Sequence, residues 1–158
     1  AVFRKHRRAE IAGRVVGTVS GARHESAGII VGRATPLLSL TAENESSTVE
    51  AVLTEAAKGG RAVAGLEETL DAVNRDAVHR LYMLEEFSAS GAVCVLCGAL
   101  QRPSDSACDL CGGSTRPAEL GQALVNRVVA AGGTTETIRI HAGLAGVGGV
   151  AALLRYPL

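Results

Sequence analysis

All four cysteines of this 158-residue chain fall in two C-x-x-C pairs, Cys94-Val95-Leu96-Cys97 and Cys108-Asp109-Leu110-Cys111, with ten residues between them. Each pair has the length of a tight knuckle. Two knuckles together supply the four thiolates that a structural zinc ion binds as a closed tetrahedron. Gly98 and Gly112 follow the second cysteine of each pair, and glycine there lets backbone amides turn toward the sulfurs and relieve thiolate charge. No fifth donor stands nearby in the sequence, so an open, catalytic metal site is not expected. The competing chemistry is a redox disulfide, but a redox C-x-x-C comes as one pair beside a thioredoxin-like βαβ unit. The expectation is structural Zn2+ on Cys94, Cys97, Cys108 and Cys111.

The remaining candidates are weaker. His6, His24, His79 and His141 have no metal-ligand spacing, and no Ser–His–Asp arrangement can be built from them. His24-Glu25 beside Ser26 is the one cluster that resembles acid–base chemistry. Gly143, Gly146, Gly148 and Gly149 lead into a strand-like segment with no Lys-Ser/Thr after them, so they are not a phosphate loop. No catalytic residue is expected. Arg4, Lys5, Arg7, Arg8 and Arg14 form a basic cluster at a helix start, where the helix dipole does not favour cations. Phosphate contact with RNA is one reading, and a solvated helix face is the other. Arg102 and Arg116 bracket the cysteines and could add to such contacts.

These residues need elements to position them. Residues 5–19 carry Ile11, Val15 and Val19 at helical spacing. Ala27–Gly32 reads as a short buried strand, Thr35-Pro36 as the start of a turn or short helix around Leu37–Leu40, and Thr41–Ser46 as a linker. Ser47-Thr48-Val49-Glu50 reads as a capping box opening a helix to Lys58. Arg61–Ala64 reads as a strand, Leu66–Asp76 as a helix, and Val78–Leu84 as a strand. After the cysteines, Pro117 opens a helix that buries Leu120, Leu124, Val128 and Ala131. Thr134–His141 is a strand with Ile138 and Ile140 on one face, and Val150–Tyr156 closes the chain. Helices alternating with strands predict an α/β sandwich.

Composition agrees with a folded core. Hydrophobic residues make up 47 %, aromatics 3 %, and there is no Trp, so Val, Leu, Ile and Ala must fill it. Net charge is zero but uneven. Residues 1–33 carry seven Lys/Arg against two Glu, and residues 41–86 carry ten acidic residues against four basic ones. This suits a charged partner surface better than bulk nucleic-acid binding, with ordinary solvated helix faces as the other reading. No apolar run reaches membrane-spanning length and no signal-peptide core opens the chain. Reduced, metal-spaced cysteines fit the cytoplasm. The start at Ala1 suggests a fragment or a processed product.

Three segments carry a family resemblance. They are Val63–Val73 running into Ala77–Leu81, the cysteine segment after that strand, and Gly146-Val147-Gly148-Gly149-Val150-Ala151-Ala152-Leu153-Leu154-Arg155-Tyr156. They resemble the C-terminal domain of the archaeal and eukaryotic peptide-chain release factor family, which includes Pelota and bacterial relatives. The resemblance implies a three-layer α/β/α sandwich with an inserted zinc ribbon. It sets the domains as 1–45, the tail of a middle domain, and 46–158, the C-terminal domain, with the ribbon at 92–115. The implied function is a non-catalytic module that docks on the ribosome and on a translational GTPase. The family's catalytic Gly-Gly-Gln does not occur in this sequence. Bacterial relatives without it resemble ribosome-hibernation factors of the Balon type, and an Ala/Val/Arg/Gly-rich chain suits a high-GC bacterium. Two alternatives stay open: a fragment of a peptidyl-tRNA hydrolase whose catalytic loop lies outside this chain, and a kink-turn RNA binder.

Overall fold

The computed structural model describes residues 17–103 and 107–158, apart from the side chains of Leu40 and Thr41. The chain divides into two compact units, Ala1–Ser47 and Thr48–Leu158.

In the first unit the main element is helix α1 (Ala27–Ala57), whose last turns belong to the second unit. The expected strand at 27–32 and linker at 41–46 are therefore helical, and Thr35-Pro36, expected to start a turn or short helix around Leu37–Leu40, lies inside the same long helix. A short apolar run does not reveal its own period. Pro36 lies inside the helix, and Ser47 donates its hydroxyl to the Asn44 carbonyl at 3.0 Å rather than opening a new helix. The expected helix at 5–19 lies largely outside the described residues.

The second unit holds two sheets. In chain order, its elements are β1 (Ala62–Ala64), α2 (Leu66–Asn74), β2 (Val78–Leu84), β3 (Ser90–Cys94), β4 (Leu100–Gln101) and β5 (Thr115–Glu119). They continue with α3 (Leu120–Ala130), β6 (Thr134–Ile138), α4 (Ala142–Gly146) and β7 (Val150–Leu154). The larger sheet has the order β1-β7-β2-β6, with β2 parallel to β6 and antiparallel to β7. The smaller sheet, β4-β3-β5, is antiparallel.

Alternation along the strands sends two apolar sets to opposite sides of the larger sheet. Leu81, Val150, Ala152 and Leu154 pack with Leu70 and Val73 of α2 and Leu120, Leu124 and Val128 of α3. Tyr82, Leu84, Ile138 and Ala151 pack with Val49 and Val52 of α1 and Leu144 of α4. The architecture is mixed α/β. Each fully buried leucine contributes roughly 1.5–3 kcal/mol of transfer free energy.

Two local expectations change. Pro117 lies in β5, an edge strand that can do without its N–H. Helix α3 instead begins at Leu120, because the Glu119 carboxylate accepts from the amides of Gly121 at 2.9 Å and Gln122 at 2.7 Å and so caps it. Strand β6 ends at Ile138, which leaves Ile140 90 % exposed rather than on the inner face.

Candidate metal centre

The smaller sheet builds the cysteine site. β3 ends at Cys94, the chain turns through Val95–Gly98, and β4 returns beside β3. Gly98 adopts φ +72° and its amide donates to the Cys94 carbonyl at 3.0 Å. The second knuckle repeats this: Gly112 adopts φ +71° and donates to the Cys108 carbonyl at 2.8 Å. Positive φ is the reason for glycine at both positions. Cross-turn bonds close each loop, Cys94 N–H to the Ala99 carbonyl at 2.9 Å and Cys108 N–H to the Gly113 carbonyl at 2.8 Å.

The four sulfurs all lie within 4.8 Å of one another. The Cys94–Cys111 separation is 3.5 Å and the Cys97–Cys108 separation is 3.7 Å. Sulfurs bound at about 2.3 Å around a tetrahedral zinc stand roughly 3.8 Å apart, so the set is compatible with such an ion. Cys94 and Cys108 are buried, while Cys97 and Cys111 are exposed.

Charge on the sulfurs points the same way. The amide of Cys97 and, more weakly, that of Leu96 donate to Cys94 Sγ at 3.5 and 3.4 Å and push its thiol down to about 6, against desolvation. The Gly113 amide lowers the Cys111 thiol, but the Cys97 and Cys94 sulfurs and burial outweigh it and push it up to about 12. Sulfurs this close cannot all ionise alone. A dication at the centre removes that repulsion.

The ribbon is tied to the core rather than hung from it. Leu100 of β4 belongs to the main apolar cluster. Asn74, the last residue of α2, donates to the Leu100 carbonyl at 2.8 Å and accepts from its amide at 2.8 Å. Arg102 pairs with Glu67 of α2 at 2.9 Å, and Arg127 of α3 pairs with Asp76 at 3.2 Å. Arg102 is thus engaged within the chain, while Arg116 has no ion pair among the described residues. Asn74 could not be picked out from sequence, because nothing local marks a helix-terminal Asn as the partner of a distant strand.

The other candidates separate. Arg4, Lys5, Arg7, Arg8, Arg14 and His6 lie outside the described residues. Glu25 is held by Arg33 at 2.6 and 2.9 Å and accepts from the Ala22 amide at 2.7 Å. That keeps its carboxyl below the usual range, chiefly through Arg33. This is a turn-and-helix brace, with His24 and Ser26 exposed beside it. His79 is exposed on β2. His141 is buried, and its Nδ1 accepts from the Leu144 amide at 3.0 Å as the cap of α4. Gly148 and Gly149, at φ +87° and +83°, end α4 and turn the chain into β7. Their amides donate to the carbonyls of Ala145 and Leu144. No helix N-terminus follows these glycines to hold a phosphate.

No family model and no curated protein matches the sequence. Solved structures do. The chain is similar to the C-terminal domain of the peptide chain release factor from Methanosarcina mazei, with TM-score 0.56 and 18 % identity, over 87 % of this chain and 99 % of that one. The fold is that of a release-factor C-terminal domain. Pelota from Archaeoglobus fulgidus shares it at TM-score 0.55 and 23 % identity, over 88 % of this chain and 39 % of Pelota. Ribosome-bound archaeal Pelota, in a structure with ABCE1, shares it at TM-score 0.54 and 24 % identity, over 91 % and 35 %. This chain therefore spans the whole of the release-factor domain but well under half of either Pelota. Within the release-factor fold, the Arg155-Tyr156 ending is a structural clasp. Arg155 donates to the carbonyls of Val78 at 3.1 Å and Ala131 at 2.8 Å, and the Tyr156 hydroxyl donates to that of Arg75 at 3.3 Å.

Proposed function

We propose that this chain is a non-catalytic docking module of a release-factor-like translation protein, working at the ribosome in rescue or hibernation. The observation that carries the reading is the fold match across 99 % of a release-factor C-terminal domain. The ribosome-bound state of archaeal Pelota supports the partner, and the family resemblance adds a translational GTPase. In this reading residues 46–158 form a three-layer α/β/α sandwich with the ribbon at 92–115, and residues 1–45 are the tail of a middle domain. Structural Zn2+ is held by Cys94, Cys97, Cys108 and Cys111. Arg4, Lys5, Arg7, Arg8 and Arg14 contact RNA phosphates, and the protein acts in the cytoplasm of a bacterial cell. The exposed tips of the two knuckles, Val95, Leu96 and Leu110, serve as a contact surface.

Sedimentation with ribosomes tests the proposal. Co-migration at moderate salt, alone or with a translational GTPase, is expected, with no hydrolysis of peptidyl-tRNA. A chain that stays at the top of the gradient under every condition has no docking role.

A further inference from the structure

A groove of about 560 Å³ runs between the smaller sheet and α3, and none of the four cysteines lines it. Val93, Leu100, Ala118 and Ala123 supply apolar side chains to its wall, and Arg116 and Arg127 stand at it with Gln122 and Asn126. We propose that this groove docks an acidic peptide segment with apolar side chains, and that it keeps its shape only while the first knuckle is folded.

Hydrogen-bonding capacity sets the sign of the ligand. Arg116 is exposed and has no ion pair among the described residues. Arg127 uses Nη2 on Asp76, and its unpartnered Nε is buried, so Arg116 carries the free charge of the groove. Gln122 donates to Asn126 Oδ1 at 2.9 Å, which leaves the Asn126 amide N–H groups available. The one carboxylate at the groove, Glu119, already accepts from the Gly121, Gln122 and Ala89 amides. The groove thus offers spare donors and positive charge over an apolar surface, and the complementary ligand brings carboxylates and apolar side chains. The chain's own basic segment at Arg4–Arg14 has the wrong sign to fill it. RNA would supply anions, but no aromatic side chain lines the groove to stack a base.

The mode of docking is also constrained. Strand addition to the smaller sheet is closed at both edges, since Asn74 occupies the β4 edge at Leu100 and Pro117 interrupts β5. The ligand therefore binds by side chains in the groove. Gly98 of the first knuckle and Leu100 just after it both line the wall. A Cβ on Gly98 would come within 4.0 Å of Arg127 Nη1, so the knuckle backbone and this arginine form one continuous surface. Unfolding the knuckle removes one side of the groove.

The proposal goes beyond ribosome docking, and its test uses the purified full chain with no ribosome, so either can fail without the other. The probe is a short labelled peptide of leucine and glutamate residues. Controls are the same peptide with lysine for glutamate and a single-stranded RNA oligonucleotide, all followed by amide chemical shifts and fluorescence anisotropy. The glutamate peptide is expected to shift the amides of Val93, Ala118, Gln122 and Asn126. Arg116→Glu and Ala130→Glu are each expected to weaken binding at least tenfold. Both positions are exposed, and amide spectra confirm that the variants fold. Chelation is expected to abolish binding, and the lysine peptide is not expected to bind. No shifts at millimolar peptide, unchanged binding by both folded variants, binding that survives loss of the knuckle, or occupation of the groove by RNA in preference to the acidic peptide would each overturn the proposal.

Discussion

Asn74 and Leu100 exchange two hydrogen bonds of 2.8 Å, side-chain amide to backbone amide, across 26 residues of sequence. Asn74 stands where a neighbouring strand would, and it satisfies both backbone groups of the buried Leu100. The ribbon is thereby locked to the end of α2. Asn74→Leu leaves a buried N–H and C=O unpaired and is expected to cost about 1–3 kcal/mol. Hydrogen exchange at Leu100 and denaturant unfolding are the measurements. A Leu100 amide that remains as protected as in the wild type would show that the bond pair does not hold the ribbon.

Metal removal should act in two stages. A metal ion held by the four thiolates would supply folding free energy to the ribbon first. A chelator is therefore expected to speed exchange across residues 92–115 first, while β2 and β7 keep their protection. Cys94→Ser or Cys108→Ser should reproduce this and lower bound zinc, read by metal analysis of the purified protein. Full zinc retention with an intact ribbon in either variant would refute the four-thiolate site.

Glu119 gives the fold a defined acid sensitivity. The amide of Gln122 holds its carboxyl below the usual range; burial opposes this, and the amides of Gly121 and Ala89 add smaller lowering contributions. A carboxyl with a lower pKa folded than unfolded adds stability that is fully present above its unfolded value, about 4.3, and is lost as pH falls through the folded one. Glu119→Ala is expected to cost about 1 kcal/mol at neutral pH, and the difference from wild type should shrink in acid. Thermal melts from pH 7 down to pH 3 measure it; a gap that stays constant across that range means the charge contributes nothing.

Gly91 is required by close packing. A Cβ there would lie 2.5 Å from both Leu120 methyl carbons, and Leu120 is fully buried at the start of α3. Gly91→Ala is expected to destabilise by about 1–3 kcal/mol through overpacking between β3 and α3. Gly91→Ala combined with Leu120→Val should recover part of that loss, measured by denaturant midpoint. No recovery in the double variant would place the strain elsewhere.

How much of this was legible beforehand depends on whether the signal was local. The spacing of Leu66, Leu70 and Val73 marked α2, the apolar run at 78–84 marked β2 from end to end, and the two C-x-x-C pairs marked a site whose sulfurs do converge. Each signal lies within one element or one turn, where period and φ requirements act directly. The strand expected at 27–32 failed because a short apolar run is compatible with either period, and the helix start at Pro117 failed because a proline also suits an edge strand.

The sequence by itself determined the cysteine pairs, the glycine turns at Gly98 and Gly112, the apolar faces of the helices and the resemblance in the Gly146–Tyr156 ending. Those follow from residue type and spacing along the chain. Only the tertiary structure decided that Asn74 pairs with Leu100, that Arg155 clasps Val78 and Ala131, and that Arg116 and Arg127 meet over one groove. These contacts join residues far apart in sequence, and their partners are chosen by how the two sheets and the helices pack, which no local pattern encodes.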